Sequence, residues 1–402
     1  MSKNKRLGGV LIVAGTTVGG GMLALPIASA SAGFGLSVLL LIAMWALMTY
    51  TALITLEMNL YFNKGVSIAY AAEHTLGGGG KIISTAAIGM LFYALLSAYM
   101  AGGASVFEKV LDYTLGIKIS SALSVFLFCG IFGGITVART HVVDMANRGL
   151  LIVKTSCFVV IIAICLPKID VSYLEYTPPE FAPSISILIP LFFTSFGFHG
   201  SIPTIVNYIG TDHKNLRTTF ILGSAIPLIV YIVWESVVLG IIPLQGANSF
   251  AFIKEGGGDL GLFTAALSTL AGGGWIVSAC QGFTSLAVAT SFLGVGLGLF
   301  DFMEEQLTRN CKKPPLLITG VFTFVIPVIF ALFYPEGFIR ALGYAAIALS
   351  ILAIIIPVLA VWKLRSFRST NKYVLCGGRL GLVIALLCGV GVIFLEMKTI
   401  LS

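Results

Sequence analysis

Apolar residues gather into eleven long blocks, near 8–31, 35–61, 82–107, 120–138, 149–166, 185–209, 218–243, 275–300, 315–334, 337–362 and 379–400, parted by short polar stretches. Between Arg6 and Glu57 there is no charged residue at all. One membrane-spanning helix needs ~20 apolar residues, so this run crosses, turns near 29–35 and crosses back. The pattern predicts an all-α polytopic membrane protein with eleven transmembrane helices in a single domain over 1–402. No loop is long enough to fold separately. The longest, about 243–274, and the Gly77–Gly80 run read as glycine-rich connectors. The opening MSKNKR is basic, as a signal peptide would be. The apolar run continues past signal length and holds Pro26, so it reads as a first span that stays.

Two blocks carry an interruption at mid-depth. In the first, Gly15-Thr-Thr-Val-Gly-Gly-Gly21 places four glycines in seven residues. Each glycine costs about 1 kcal/mol against alanine inside a helix. Unwound backbone in hydrocarbon leaves N–H and C=O groups bare and survives only where it lines a cavity or meets a ligand. Gly15 and Gly19 also form GxxxG, a close-packing motif, so helix packing is an alternative reading. A phosphate-binding loop is not, because the Lys-Ser/Thr that must follow is missing. The sixth block repeats the feature in Ser195-Phe-Gly-Phe-His-Gly200, with Pro203 after it as Pro26 follows the first. Two interrupted spans five apart point to an inverted-repeat transporter. The repeats fall at 7–167 and 185–362, with 379–400 an added helix.

Charge then orients the chain. Charged residues make up 10%, against roughly 25% in soluble domains. Counting alternate loops, Lys3, Lys5, Arg6, Lys64, Lys81, Arg139, Arg148, Lys154, Lys214, Arg217, Arg309, Lys312, Lys313, Lys363, Arg365, Arg368, Lys372 and Arg379 share the N-terminal side. Lys109, Lys118, Lys168, Lys254, Arg340 and Lys398 lie opposite, so 18 of 24 basic residues are on one side. The positive-inside rule makes that side, and the N-terminus, cytoplasmic. An odd span count sends the C-terminus outside. The net charge of +7 is thereby topological and lipid-facing, with no need for nucleic acid. The seven cysteines show no CxxC spacing, which argues against thiol chemistry. No HExxH, nucleophile elbow, paired carboxylates or His/Cys cluster appears, so neither an enzyme nor a metal site is indicated.

Broken helices supply a chemistry of their own. One half ends in free carbonyls and the next begins in free amides. The amide end carries about +0.5 charge and suits a carboxylate, and the carbonyl end suits an ammonium. An α-amino acid offers both at one carbon. Amides of Gly19, Gly20 and Gly21 would take the carboxylate, and carbonyls around Ala14, Gly15 and Ser195 the amine.

The stretches AGTTVGGGMLALP (14–26), TSFGFHGSIP (194–203), ATSFLGVGLGLFD (289–301) and ALFYPEGFIRALGYAA (331–346) resemble the aromatic amino acid permeases of bacteria, essentially end to end. Thr17-Val18, Leu23-Ala24 and Phe198 resemble the tyrosine-transporting members, whereas Gly20 stands where alanine is usual. The resemblance implies a leucine-transporter-like fold, residence in the bacterial inner membrane, L-tyrosine and a proton as the partners, and no cofactor. Lys154, in the fifth span, resembles the lysine whose ammonium replaces a sodium ion beside the first break in proton-coupled relatives. Its alternative is snorkelling to cytoplasmic water.

Other residues keep two readings each. His199 can titrate near neutrality or bond a freed carbonyl. Thr16, Thr17, Ser195 and Ser201 can cap helix ends or touch substrate. Tyr93 and Tyr99 can wall the pocket or face neighbours. Phe196 and Phe198, flanking Gly197, can stack on an aromatic solute. Thr290 and Ser291 can face the cavity or bind Lys154. Glu57 and Glu235 lie near span ends, where interfacial water would solvate them. Asp301, Glu304 and Glu305 read as the start of a solvated loop. The leading expectation is proton-driven L-tyrosine import by alternating access. Tryptophan or broad aromatic specificity, sodium coupling and a passive channel are the rivals.

Overall fold

The computed structural model describes residues 3–138, 140–176, 182–308, 315–366 and 373–401. Among these it is helical almost throughout and holds no strand. Nine helices are long and apolar enough to cross a membrane: Phe34–Tyr61, Gly78–Leu115, Gly149–Lys168, Ile185–Ile209, His213–Leu239, Trp275–Thr308, Leu316–Phe333, Phe338–Ser366 and Gly378–Leu401. A bent pair, Lys5–Thr17 with Gly20–Ser29, makes a tenth. The remaining expected block is the helix Ser121–Val137, bulged into π geometry over Cys129–Gly133. Its length is about 25 Å at 1.5 Å per residue, short of the ~30 Å hydrocarbon core. Eleven crossings are therefore not reached on length alone. Spans keep their sequence numbering below, with Ser121–Val137 as the fourth.

Both interruptions are present. The first span stays α-helical to Thr17, passes through Gly19 in extended geometry (φ −133°, ψ −161°), and resumes as a 3₁₀ turn and the helix Ala24–Ser29, bent by 50°. The sixth stops at Ser195, resumes as a 3₁₀ turn at His199–Ser201 and continues as Ile202–Ile209. Pro203 sits in the first turn of that half, where its missing N–H costs nothing. Gly33, at φ +79°, turns the chain from the first span into the second, a conformation that favours glycine.

Spans pair in exchanged sets. The N-terminal half of the first packs on the seventh, and the sixth packs on the second. The fifth packs on the eighth, and the tenth on the third. The third and eighth touch, as do the second and seventh. Each of these pairings returns when each span is replaced by the one five places along, as a five-plus-five repeat produces. The eleventh packs on the sixth and tenth. Aromatics fill the middle, with Phe192, Phe193, Phe196, Phe198, Tyr231 and Trp234 all buried. Leu317, Phe333 and Phe394 of the ninth and eleventh spans project outward.

Four sequence expectations change. The 243–274 segment is not a plain connector but holds two helices, Phe250–Glu255 and Leu260–Ala271, because its apolar residues bury Phe250, Ile253, Leu260, Phe263 and Leu267. Gly78–Gly80 begin the third span rather than a loop. The eighth helix runs to Thr308, so Asp301, Glu304 and Glu305 lie on its last turns. Glu57 is buried, not interfacial: Arg365 Nε and Nη2 donate to its two oxygens at 2.7 and 2.6 Å, and the Leu375 amide donates at 2.8 Å. The chain returning toward the eleventh span covers it. Glu235 is likewise buried, with Ser29 as its partner.

Candidate functional site

The fold brings the two breaks together. A Cβ added to Gly21 would lie 3.7 Å from Ser195 Oγ. Tyr231, on the seventh span, reaches between them: its hydroxyl oxygen lies 2.7 Å from the Thr17 carbonyl and 2.8 Å from the Ser195 carbonyl. Each carbonyl closes the first half of a broken span. One phenol has a single proton and so satisfies one of the two acceptors at a time. Nothing in the local sequence marks Tyr231. Only the crossing of the seventh span over both breaks makes it part of the site.

The first half-helix persists further than the glycines suggest. Ala14 O accepts the Val18 amide at 2.9 Å and stays within the helix. The frayed carbonyl end thus falls at Thr17 and Val18. Thr16 and Thr17 hydroxyls donate back to Ile12 O (2.7 Å) and Val13 O (2.8 Å), as such residues do inside helices. Gly15 and Thr16 are exposed, and a Cβ on Gly15 would meet nothing within 4 Å.

The third and eighth spans cover the glycines. Gly20 N–H donates to Ser291 Oγ at 2.8 Å. Added Cβ atoms would lie 2.9 Å from Ser291 Oγ at Gly19 and 3.0 Å from the Tyr99 ring at Gly20. The backbone of one span can approach the others this closely only without side chains. Tyr99 therefore stands against the first break. Tyr93 does not: its hydroxyl donates to Phe322 O of the ninth span at 2.6 Å.

Lys154 is buried and turned inward. Its Nζ lies 3.4 Å from Val18 O and 3.5 Å from Thr290 Oγ1, at the carbonyl end of the first break. On the other break, Phe196 packs edge-on to Tyr231 with centroids 5.2 Å apart, and Phe198 lies beside His199. Gly197 has no room for a side chain, since a Cβ would sit 2.9 Å from Leu349. His199 Nε2 pairs with Thr51 Oγ1 at 2.9 Å rather than with a carbonyl. Ser195 and Ser201 hydroxyls donate to Leu191 O and Phe198 O.

Two carbonyl-ended half-helices, a glycine amide run and a buried ammonium, all inside a bundle of crossing helices, define a multi-pass membrane transporter. The chain belongs to the tryptophan/tyrosine permease family, which it matches over residues 2–396. It is 42% identical to tyrosine-specific transport system 1 of Haemophilus influenzae, across 96% of this chain and 95% of that one. Tyrosine-specific transport system 2 of the same organism is 35% identical, across 97% and 95%. The tryptophan-specific transport protein of Pseudomonas aeruginosa is 32% identical, across 96% and 92%. These relatives are transport proteins, a class that moves solutes without converting them. Among solved structures, MHP1, a nucleobase-cation-symport-1 family transporter in a closed conformation with bromovinylhydantoin bound, superposes with a TM-score of 0.61 at 15% identity, covering 98% of this chain and 93% of that one. The fold is the leucine-transporter-like one.

Proposed function

We propose that this protein imports L-tyrosine by proton symport across the bacterial inner membrane, with its N-terminus cytoplasmic, its C-terminus periplasmic and repeats at 7–167 and 185–362. The observation that carries this reading is Lys154 Nζ against Val18 O, an ammonium where a cation would otherwise rest on the broken helix. A lysine amine can release its proton and take it up again, which is what proton coupling asks of this group. The carboxylate of the solute is assigned to the Gly19–Gly21 amides. Its ammonium is assigned to Thr17 O and Ser195 O, where Tyr231 supplies one proton to two acceptors. An ammonium brings three donors and satisfies both. Phe196, Phe198 and Tyr99 supply the ring contacts. Tyrosine is preferred over tryptophan because the two tyrosine-specific relatives are nearer in sequence than the tryptophan-specific one.

The deciding experiment is uptake of labelled tyrosine into proteoliposomes under an imposed inward proton gradient. Uphill accumulation that survives replacement of sodium by choline is expected. Failure of tryptophan and phenylalanine to compete supports tyrosine selectivity. Uptake that only equilibrates would return the protein to the class of facilitators.

A further inference from the structure

One buried acid stands apart from the breaks. Glu235, near the outer end of the seventh span, is fully buried. Its Oε1 accepts from Ser29 Oγ at 3.0 Å, and Ser29 is itself fully buried. Oε2 has no hydrogen-bond partner among the described residues. A carboxylate held by one hydroxyl in apolar surroundings is strongly disfavoured, whereas a carboxylic acid is tolerated there. Near it along the chain is a small cleft whose lining includes Ala30, Gly33, Tyr173, Tyr176 and Leu239. Ala30 follows Ser29 in the chain, and Leu239 lies one helical turn beyond Glu235. Glu235 does not itself line the cleft, and Ala30 and Leu239 are what separate it from that opening. The acid joins two elements of different kind, the outer half of a broken span and an unbroken one.

Among the other titratable groups on the surrounding elements, Tyr173 and Tyr176 line the same cleft with Glu175 between them in the chain, and the rest make other contacts or lie further along their helices. On its own helix, Tyr231 is one turn inward and faces the Thr17 and Ser195 carbonyls. The first span is free of charge from residue 7 onward. On the fifth span, Lys154 meets Val18 and Thr290, Lys168 meets Ala271 O, and Cys157 and Cys165 are thiols. The short helix Val171–Glu175 carries Tyr173 and Glu175, and is preceded by Asp170, which accepts from Ser172. The second span offers Glu57, bound by Arg365, and Tyr50 and Tyr61 toward its inner end. The half-helix Ile202–Ile209 carries Tyr208, near the inner end of the first span.

We propose that Glu235 and Ser29 form a proton-binding latch on the outer side. A proton delivered through the cleft adds to the Glu235 carboxylate, and the half-helix Ala24–Ser29 seats on the seventh span. When that proton returns to outer water, the carboxylate must hydrate, and Ser29 parts from it. This inference deepens the transport reading, but it does not depend on which ion drives uptake.

The test uses full-length protein without its native cysteines, carrying Ala30→Cys, in right-side-out vesicles. A membrane-impermeant maleimide labels the cysteine at a series of external pH values. The same protein with Glu235→Gln supplies the thiol's own pH dependence. Relative to it, the Glu235 protein should label faster as pH rises, by up to about tenfold per pH unit for one proton. Identical profiles would overturn the latch. If Glu235→Gln does not fold, Ser29→Ala decides. In the latch Ser29 bonds the neutral acid and leaves the carboxylate, so losing its hydroxyl weakens only the seated, protonated form; the profile should move to lower pH, and an unmoved profile refutes the proposal. Uptake driven by sodium with a Glu235-dependent labelling profile would defeat proton symport and leave the latch. Proton-driven uptake with no such dependence would do the reverse.

Discussion

In the proposed proton symport, Lys154 is the residue on which coupling turns. Its Nζ lies against Val18 O, where a cation would otherwise rest. Lys154→Gln keeps length and polarity but has no titratable group. The expected outcome is loss of uphill tyrosine accumulation with tyrosine exchange retained, measured in proteoliposomes with and without a pH gradient. Tyr231→Phe keeps the ring that packs on Phe196 and removes the hydroxyl that joins two buried carbonyls. Leaving a buried acceptor unpaired costs about 1–3 kcal/mol, so a lower unfolding temperature is expected while the fold survives. Lysine at mid-span was visible in the sequence because a charge in an apolar block is conspicuous. Tyr231 was not, because a tyrosine in a span is ordinary until its neighbours across the bundle are known. Glu235 was misread for the same reason: closeness to a span end says nothing of Ser29, two hundred residues away in the chain, closing over it.

At the scale of elements, close crossings depend on missing side chains. A Cβ on Gly223 of the seventh span would come 2.6 Å from Val13 Cβ and 3.2 Å from Val10 O of the first. Gly223→Val must push the N-terminal half of the first span away. Overpacking of this kind typically costs 1–3 kcal/mol, and a clear fall in thermal stability in detergent is expected. Gly391→Ala in the eleventh span, where a Cβ meets nothing within 4 Å, serves as the neutral comparison. The breaks themselves were legible, since runs of glycine with a following proline have few other uses inside hydrocarbon. Where they begin was less so. Thr16 and Thr17 extend the first half-helix by bonding back onto it, which moves the carbonyl end past Ala14. The fourth span shows the opposite limit: its apolar length was evident, but the π-bulge at Cys129–Gly133 leaves no mark in hydropathy.

Across the whole molecule, the Glu57–Arg365 pair ties the second span to the tenth, and through Gly378 O and Leu375 to the approach to the eleventh. Arg365 is fork-bound and Glu57 almost fully covered, so this differs from a surface ion pair. Removing Arg365 leaves Glu57 buried without its charge partner, which costs about 3–5 kcal/mol; removing Glu57 costs less, because Arg365 is part-exposed and still donates to Gly378 O and Leu375 O. Arg365→Gln alone should lower the unfolding temperature sharply and Glu57→Gln less so, and the double substitution should recover part of the Arg365→Gln loss. The single phenolic proton shared by Thr17 and Ser195 has a last consequence for choosing cargo. A deaminated analogue such as 4-hydroxyphenylpropionate brings a carboxylate and a ring but nothing that can unseat Tyr231. It would dock without releasing the bolt between the two severed crossings, and so should block exchange of labelled tyrosine while never itself appearing on the far side.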